Sequence, residues 1–230
     1  MTERAFQVGF LLFPDVTQLD LTGPWEVLSG MPKTETRLVW KTAGPVRAGK
    51  GLTIMADTGF ADCPQLDLIC VPGGAGMNPL LTDDEVLDFL RRQAPGARYV
   101  TSVCTGSLVL GAAGLLRGKR AASHWSSRDL LAQFGAVPVA DRVVFDGNVY
   151  TGGGVTAGID FALRIVADLH GDAAAQAAQL QIEYDPDPPF RSGSPDTASP
   201  EIVDAVRNRT ASMMAVRRAQ VEKAAAKLSD

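Results

Sequence analysis

The sequence predicts an α/β fold, a three-layer sandwich in which helices cover both faces of a mostly parallel central sheet. Short apolar runs alternate with helical patterns along the chain, as in stacked strand–helix units. A length of 230 residues with 46% hydrophobic residues is enough to bury a full core. One domain spanning residues 1–230 is therefore the simplest organisation.

Six segments are predicted as strands because they are short, apolar and rich in β-branched residues. They are residues 7–13, 36–42, 66–71, 98–103, 142–145 and 148–151. The Asp146-Gly147 pair predicts a tight hairpin turn between the last two. Pro14 and Asp15 end the first apolar run, which is too short for a signal-peptide core or a membrane span and is assigned to the first strand.

Helical patterns lie between most of these strands. Thr82 precedes three acidic residues, which predicts a capped helix that runs through Arg92 and is ended by Pro95-Gly96. Residues 157–169 and 173–181 continue the helical pattern. Residues 184–200 are rich in proline and have no periodic apolar face, which is typical of either an ordered crossing loop or a linker.

A final helix is predicted over residues 201–228. Apolar residues are spaced along one of its sides: Ile202, Val206, Met213, Val216 and Val221. This side needs a partner surface, on its own domain or on a second subunit. The basic residues are spread around the rest of the helix, which disfavours a membrane or nucleic-acid role.

The overall charge and the cysteine count exclude several classes of protein. Twenty-two basic and 26 acidic residues give a formal charge of −4, so no broad cationic face is expected for nucleic acid or an anionic membrane. Three cysteines are an odd number and lack the paired spacing of a disulfide framework or a zinc site. These features predict a protein of the reducing cytoplasm.

Cys104 follows a β-branched run and precedes small, helix-compatible residues. This pattern predicts a strand, a sharp turn and a helix, with the sulfur at the turn. The first amides of the helix would point toward the sulfur and favour its thiolate form, which suits a nucleophile. The alternative is a small buried cysteine that fills a strand–helix junction.

Two glycine-rich turns follow predicted strands. The segment 71–76, Val-Pro-Gly-Gly-Ala-Gly, allows the backbone to approach whatever lies over the end of the sheet. It has no Gly-Lys-Ser/Thr, so a phosphate loop is not expected. The segment 152–154 is three glycines that precede a helix, and its default interpretation is close packing. For both turns, a purely structural role remains an alternative to an active-site role.

Six motifs resemble the ThiJ/PfpI superfamily, and among its members the bacterial isocyanide (isonitrile) hydratases. They are Phe10-Leu-Leu-Phe-Pro-Asp15, Gln18-Leu-Asp-Leu-Thr-Gly-Pro24, Val71-Pro-Gly-Gly74, the segment 101–114 around Cys104, Ser123-His-Trp125 and the segment 151–160. Their order and spacing match the family from about residue 8 to the last helix. The resemblance implies a flavodoxin-like fold of the class I glutamine amidotransferase type, with the cysteine on a nucleophile elbow.

The resemblance also implies a covalent mechanism. Cys104 would attack the carbon of an isocyanide, and Asp20, between two leucines at the start of a helix, would exchange protons with the resulting thioimidate. Partial desolvation would raise the pKa of Asp20. The alternative for Asp20 or Thr22 is a helix N-cap. The implied product is an N-substituted formamide, without a metal or an organic cofactor, and the implied assembly is a homodimer.

Further site residues follow from the same resemblance. Thr105 would orient Asp20 or the substrate through its hydroxyl. The backbone N–H of Gly74 or Ala75, with that of Thr105, would form an oxyanion-type site. Gly153 and Val155 would form a possible wall of the active site.

This chain departs from part of the family pattern. Proteases and many amidases of the superfamily have histidine directly after the nucleophile, whereas this chain has Thr105. A Cys-His mechanism therefore loses its usual base. His124 is interpreted as a hydrogen-bonded structural histidine and His170 as a helix terminus. Cys63 and Cys70 are interpreted as packing residues.

Two alternatives to the hydratase remain at this stage. One is a glyoxalase or amidase of the same superfamily, acting on a carbonyl carbon. The other is a ligand-binding module, because a similar domain precedes the DNA-binding half of some AraC-type regulators. About thirty residues after Pro200 are too few for two helix-turn-helix units, which disfavours a complete regulator.

Overall fold

The computed structural model describes residues 4–229. Its strands are β1 (Phe6–Leu11), β2 (Thr34–Trp40), β3 (Gly44–Arg47), β4 (Thr53–Ala56), β5 (Thr58–Gly59), β6 (Leu68–Val71), β7 (Tyr99–Val103), β8 (Arg120–Ala121), β9 (Val137–Pro138), β10 (Val143–Asp146) and β11 (Val149–Gly152). Its α-helices are α1 (Gln18–Ser29), α2 (Met77–Leu80), α3 (Asp84–Gln93), α4 (Gly106–Ala112), α5 (Ala157–His170), α6 (Asp172–Gln181) and α7 (Pro200–Ser229). Short 3₁₀ helices cover Gly49–Gly51, Ala94–Gly96 and Arg128–Phe134.

Within the described chain, the central sheet has seven strands in the order β10-β11-β7-β6-β1-β2-β5. All neighbours are parallel except β10 and β11, which form the antiparallel hairpin expected at Asp146-Gly147. Every residue of β6 and β7 is buried, because helices cover both faces of a parallel sheet. The prediction of an α/β fold with a mostly parallel sheet is confirmed.

The helices form two outer groups. Helix α5 packs against α1 and α6, and α4 packs against α3 and α7. The carboxyl ends of β6 and β7 therefore lie beside the starts of α2 and α4 and beneath the long helix α7, which also contacts both of these short helices. In open parallel sheets, ligands bind at this edge.

The six predicted strands are confirmed, with bounds that differ by one or two residues. The hairpin of β3 and β4, the two-residue strand β5 and the short helix α2 were not predicted. Residues 182–199, between α6 and α7, form turns and bends. None of the helices in residues 4–229 is both long enough and apolar enough to cross a membrane.

The N-cap predicted for the third helix is wrong by one residue. The cap is Asp83, whose side chain accepts a hydrogen bond from the Val86 backbone N–H at 3.3 Å. Asp83 has an extended conformation, so α3 begins at Asp84. Thr82 lies one position too early for its side chain to reach the free amides of the first turn.

The apolar side predicted for the final helix packs only in part on its own domain. Ile202 and Val216 are 51% and 55% exposed, whereas Val221 is fully buried. The side of α7 that faces the domain includes Arg217, Val221 and Ala224. The apolar residues of the sequence do not by themselves identify this buried face, because one of its buried positions is Arg217.

Candidate active site

Cys104 lies at the turn between β7 and α4 with a φ of 58°. This left-handed conformation is uncommon for a residue with a side chain. Backbone hydrogen bonds hold it: the Cys104 N–H donates to the Gly152 carbonyl at 2.9 Å, and the Cys104 carbonyl accepts from the Ser107 and Ser123 hydroxyls at 3.2 and 3.1 Å. The predicted elbow is therefore present, and the two serines are supports that the sequence analysis missed.

Asp20 approaches this elbow from the first turn of α1. It is fully buried, and its Oδ2 accepts a hydrogen bond from the Gly73 N–H at 2.9 Å. The Cys104 side chain lies close enough to this carboxyl to influence its protonation. Its Oδ1 is buried and has no hydrogen-bond partner among the described residues. The carboxyl thus faces the cysteine and does not cap its own helix, whose N-cap position is held by Thr17.

Burial dominates the protonation of this pair. It raises the pKa of Asp20 from 3.8 to about 7, against the opposing effects of the Gly73 hydrogen bond and of the Cys104 side chain. Burial and the charge of Asp20 also raise the pKa of the Cys104 thiol, and the hydrogen bond from the Thr105 amide offsets this only in part. The expected influence of the helix amides is present, but burial outweighs it. The resting pair is a thiol beside a carboxyl that titrates near neutrality.

The raised pKa of Asp20 predicts a pH-dependent cost to stability. Below about pH 4 Asp20 is protonated in both the folded and the unfolded chain, and between about pH 4 and 7 only the unfolded chain ionises, so stability falls. The rise from 3.8 to about 7 corresponds to at most about 4 kcal/mol. We expect Asp20→Asn to remove this loss, so that its free energy of unfolding relative to wild type increases from about pH 4 to pH 7. Urea denaturation at a series of pH values measures this, and a constant difference would contradict it.

The turn after β6 brings Asp20 and Thr105 together. The Gly74 N–H donates to the Thr105 hydroxyl at 3.1 Å, while the neighbouring Gly73 N–H holds Asp20. A Cβ on Gly73 would lie 2.5 Å from the Thr105 Oγ1 and 2.9 Å from the Asp20 Oδ2, so only glycine fits. The Gly74 amide, predicted as an oxyanion donor, is already engaged with Thr105. Ala75 lines the cavity next to Cys104.

We expect Gly73→Ala to disrupt this arrangement. The added methyl group would push Thr105 and Asp20 away from each other, and a displacement of about 1 Å at a catalytic group costs about 100-fold in turnover. Gly30→Ala is the matched control, because the atom nearest to a Cβ there is the Val27 carbonyl oxygen at 3.6 Å and Gly30 lies outside the site. Turnover and thermal unfolding of both variants check the prediction. Equal turnover in the two variants would contradict it.

Cys104 lines a cavity of about 190 Å³, although only 6% of the residue's surface is exposed. The cavity is lined by Thr17, Gly74, Ala75, Cys104, Thr105, His124, Ser126, Val155, Val206, Thr210, Met213 and Arg217. Val155 lies where an active-site wall was predicted. Gly153 lines a neighbouring cavity of about 400 Å³, which Val155 and His124 also border.

His124 lines the same cavity as Cys104. Its Nδ1 is 2.9 Å from the Ser126 Oγ. Burial and the charge of Arg217 lower its pKa, so the ring is neutral near pH 7. A neutral imidazole in the wall of the cavity contributes a polar surface without a charge.

Arg217 is the cavity residue that the sequence analysis missed. It comes from α7, far from the motifs around Cys104, and is 3% exposed. Its spacing from Val221 and Ala224 places all three on one helix face, and this register was the available signal. Composition gave no indication, because other arginines occur on the same helix.

The other cysteines and the second histidine occupy the predicted kinds of position. Cys70 is fully buried in β6, and burial raises its pKa to about 12. Cys63 is partly buried, and burial raises its pKa to about 11. His170 is exposed at the end of α5. Residues 4–229 contain no group of three or more His, Cys, Asp or Glu side chains placed to hold a metal ion.

Comparisons with known proteins agree with this fold. The sequence model of the DJ-1/PfpI family matches residues 6–168. The chain is 60% identical to the isonitrile hydratase of Pseudomonas putida, over 98% of this chain and 99% of that protein. It is 32% identical to the transcriptional regulator GbdR of Pseudomonas aeruginosa, over 77% of this chain but 50% of the regulator. The crystal structure of a ThiJ/PfpI family protein from Pseudomonas syringae superposes with a TM-score of 0.91 at 42% identity, covering 96% of this chain and 90% of that one.

Proposed function

Because the chain belongs to the DJ-1/PfpI family, we propose that it is a cysteine enzyme of that family that hydrates isocyanides to N-substituted formamides. The observation that carries this proposal is the fully buried Asp20 carboxyl beside Cys104, which itself lines a small cavity. The 60% identity to an isonitrile hydratase over nearly the whole of both chains supports the choice of substrate class.

The first half of the proposed cycle forms a thioimidate. The Cys104 sulfur bonds to the terminal carbon of R–N≡C while the thiol proton passes to the ionised Asp20 carboxylate. Asp20 then gives this proton to the same carbon, which yields R–N=CH–S–Cys104. A carboxyl with a pKa of about 7 can both accept and return a proton near neutral pH.

The second half of the cycle adds water. The water oxygen bonds to the thioimidate carbon while Asp20 removes one proton from the water. Asp20 then delivers this proton to the nitrogen. The carbon–sulfur bond then breaks, the hydroxyl becomes the formyl C=O, and its proton returns to the sulfur through Asp20. One water is consumed, R–NH–CHO is released and the thiol is regenerated.

Neighbouring groups have supporting roles in this proposal. Thr105 fixes the turn that holds Asp20, because its hydroxyl accepts the Gly74 N–H. The Thr105 amide contacts the sulfur, and Ala75 borders the space in which the substrate carbon would lie. Val155 would form the wall against an apolar R group, and Gly153 lines the neighbouring cavity that Val155 also borders. The cycle uses these side chains and water and calls for no organic cofactor or metal.

The direct test is incubation of the purified protein with an aryl isocyanide and detection of the formamide by chromatography. Water labelled with ¹⁸O should place the label in the formyl oxygen. Methylglyoxal, supplied in parallel, tests the glyoxalase alternative. The likeness to GbdR supports a second candidate, a ligand-sensing module, which would bind a small molecule without converting it. Absence of formamide with every isocyanide supplied would overturn the hydratase proposal.

We further propose a homodimer in a reducing compartment such as the cytoplasm. The exposed Ile202 and Val216 on α7 offer apolar surface for a second copy of the chain. The three cysteines are free, which fits a reducing environment. Sedimentation velocity of the purified protein tests the dimer.

A further inference from the structure

Arg217 is a buried cation whose hydrogen-bond partners are neutral. Its Nε donates to the Asn78 Oδ1 at 3.0 Å, and its Nη1 donates to the Ser127 Oγ at 2.8 Å. The sulfurs of Met213 and Met214 lie 3.8 Å from Nη2 and Nη1. These groups orient the guanidinium but do not balance its charge. A charge buried in this way is costly unless an anion compensates it.

Other basic residues of α7 are arranged differently. Three of them pair with carboxylates at the surface: Arg207 with Asp204, Arg218 with Asp129 and Lys227 with Asp84. Surface pairs carry little desolvation cost. Arg217 therefore requires its own explanation.

The cavity suggests what the charge of Arg217 is for. Arg217 and Cys104 line the same cavity of about 190 Å³, and the described residues around it include no aspartate or glutamate. His124 lines the cavity as a neutral ring. Asp20 is not part of the cavity lining and approaches the Cys104 sulfur from α1. Burial raises the pKa of Cys104 and lowers the pKa of Arg217, and the attraction between the thiolate and the guanidinium opposes both shifts. Among the described residues that line this cavity, Cys104 is the one whose side chain can become an anion.

We propose that Arg217 is a positioning residue whose guanidinium is the counter-charge of the Cys104 thiolate. The inference rests on the proposed function in one respect, namely that Cys104 is the nucleophile. The sulfur carries negative charge after its proton has passed to Asp20 and before the sulfur–carbon bond is complete. It carries that charge again when the bond breaks and before the proton returns. A fixed cation in a water-poor site stabilises both states.

The test is the pH dependence of Cys104 alkylation by iodoacetamide, in which the thiolate displaces iodide. Peptide mass spectrometry separates Cys104 from the other two cysteines. We expect Arg217→Met to raise the midpoint by about one pH unit and to slow alkylation near neutrality about tenfold. Arg217→Lys keeps the charge and should recover part of the rate. Arg218→Met, which removes an exposed arginine of the same helix, should leave the profile unchanged.

A second variant separates this role from a structural one. Asn78→Asp keeps the shape of the side chain and its contact with Arg217 but gives the guanidinium a carboxylate partner. If Arg217 only holds α7 in place, this variant should alkylate at the wild-type rate. If Arg217 is the counter-charge, alkylation near neutrality should slow while thermal stability is maintained. This variant also decides the question if Arg217→Met does not fold.

The two proposals fail in different ways. Alkylation requires no isocyanide, so a shifted profile in a protein that forms no formamide would overturn the hydratase proposal and leave the role of Arg217 intact. Wild-type formamide production with unshifted profiles in both Arg217→Met and Asn78→Asp would overturn the role of Arg217 alone.

Discussion

Cys104→Ala is expected to abolish formamide production, with a fall in turnover of at least about 10⁴-fold, because a covalent nucleophile has no substitute in the cavity. Alanine retains the Cβ of cysteine, so the substitution does not change the cost of the left-handed conformation at residue 104, whose φ is 58°. The Ser107, Ser123 and Gly152 hydrogen bonds involve only the backbone of residue 104 and survive the change. The variant should therefore fold.

Cys70→Ala is the matched control for this experiment. Cys70 is also buried, but it lies within β6 and packs in the core. Its removal should lower the free energy of unfolding by about 1 kcal/mol and leave turnover nearly unchanged. Thermal unfolding and formamide assays on both variants separate loss of chemistry from loss of fold. Turnover that survives Cys104→Ala would end the covalent mechanism, whatever the substrate.

The elements that the sequence predicted well are those whose burial is uniform. Every residue of β6 is apolar and buried, so its pattern needs no knowledge of its neighbours. The hairpin of β3 and β4 was missed because it forms a separate two-stranded sheet and begins at Gly44-Pro45, which predicts a turn. Strand β5 has two residues and no pattern of its own. Pairing with β2 defines it, and pairing is a tertiary property.

The candidate site divides in the same way. Cys104 could be found from its local sequence, because the change from a β-branched run to small residues fixes the elbow. Asp20 required the family resemblance, since a carboxyl near a helix start is more often a cap. The raised pKa of Asp20 was predicted from its two leucine neighbours, whereas the raised pKa of Cys104 was not, because it depends on how completely the surrounding layers bury the sulfur. The register of Arg217 with Val221 and Ala224 could have indicated a shared helix face, but the position of Arg217 relative to Cys104 could not be predicted, because it depends on how α7 crosses the domain.

The proton-carrying role of Asp20 makes a separate prediction. Asp20→Asn should lower turnover by about 10²- to 10⁴-fold, because the amide can still accept the Gly73 N–H but cannot take the thiol proton. Asp57→Asn is the matched control: Asp57 also accepts a backbone N–H, from Leu38 at 3.1 Å, and lies outside the cavity. Asp20→Glu keeps a carboxyl and should retain more activity than Asp20→Asn.

The pH dependence of kcat/KM tests the proton transfer by Asp20 more directly than the turnover at a single pH does. Since Asp20 must be ionised to accept the thiol proton, kcat/KM should rise with pH through the pKa of Asp20, about 7, and lose that inflection in Asp20→Asn. A group that only shaped the cavity would change the height of the profile and leave its inflection in place. Retention of an inflection near neutrality in Asp20→Asn would therefore assign the titration to another group and remove Asp20 from the proton transfer, even if the variant were slow.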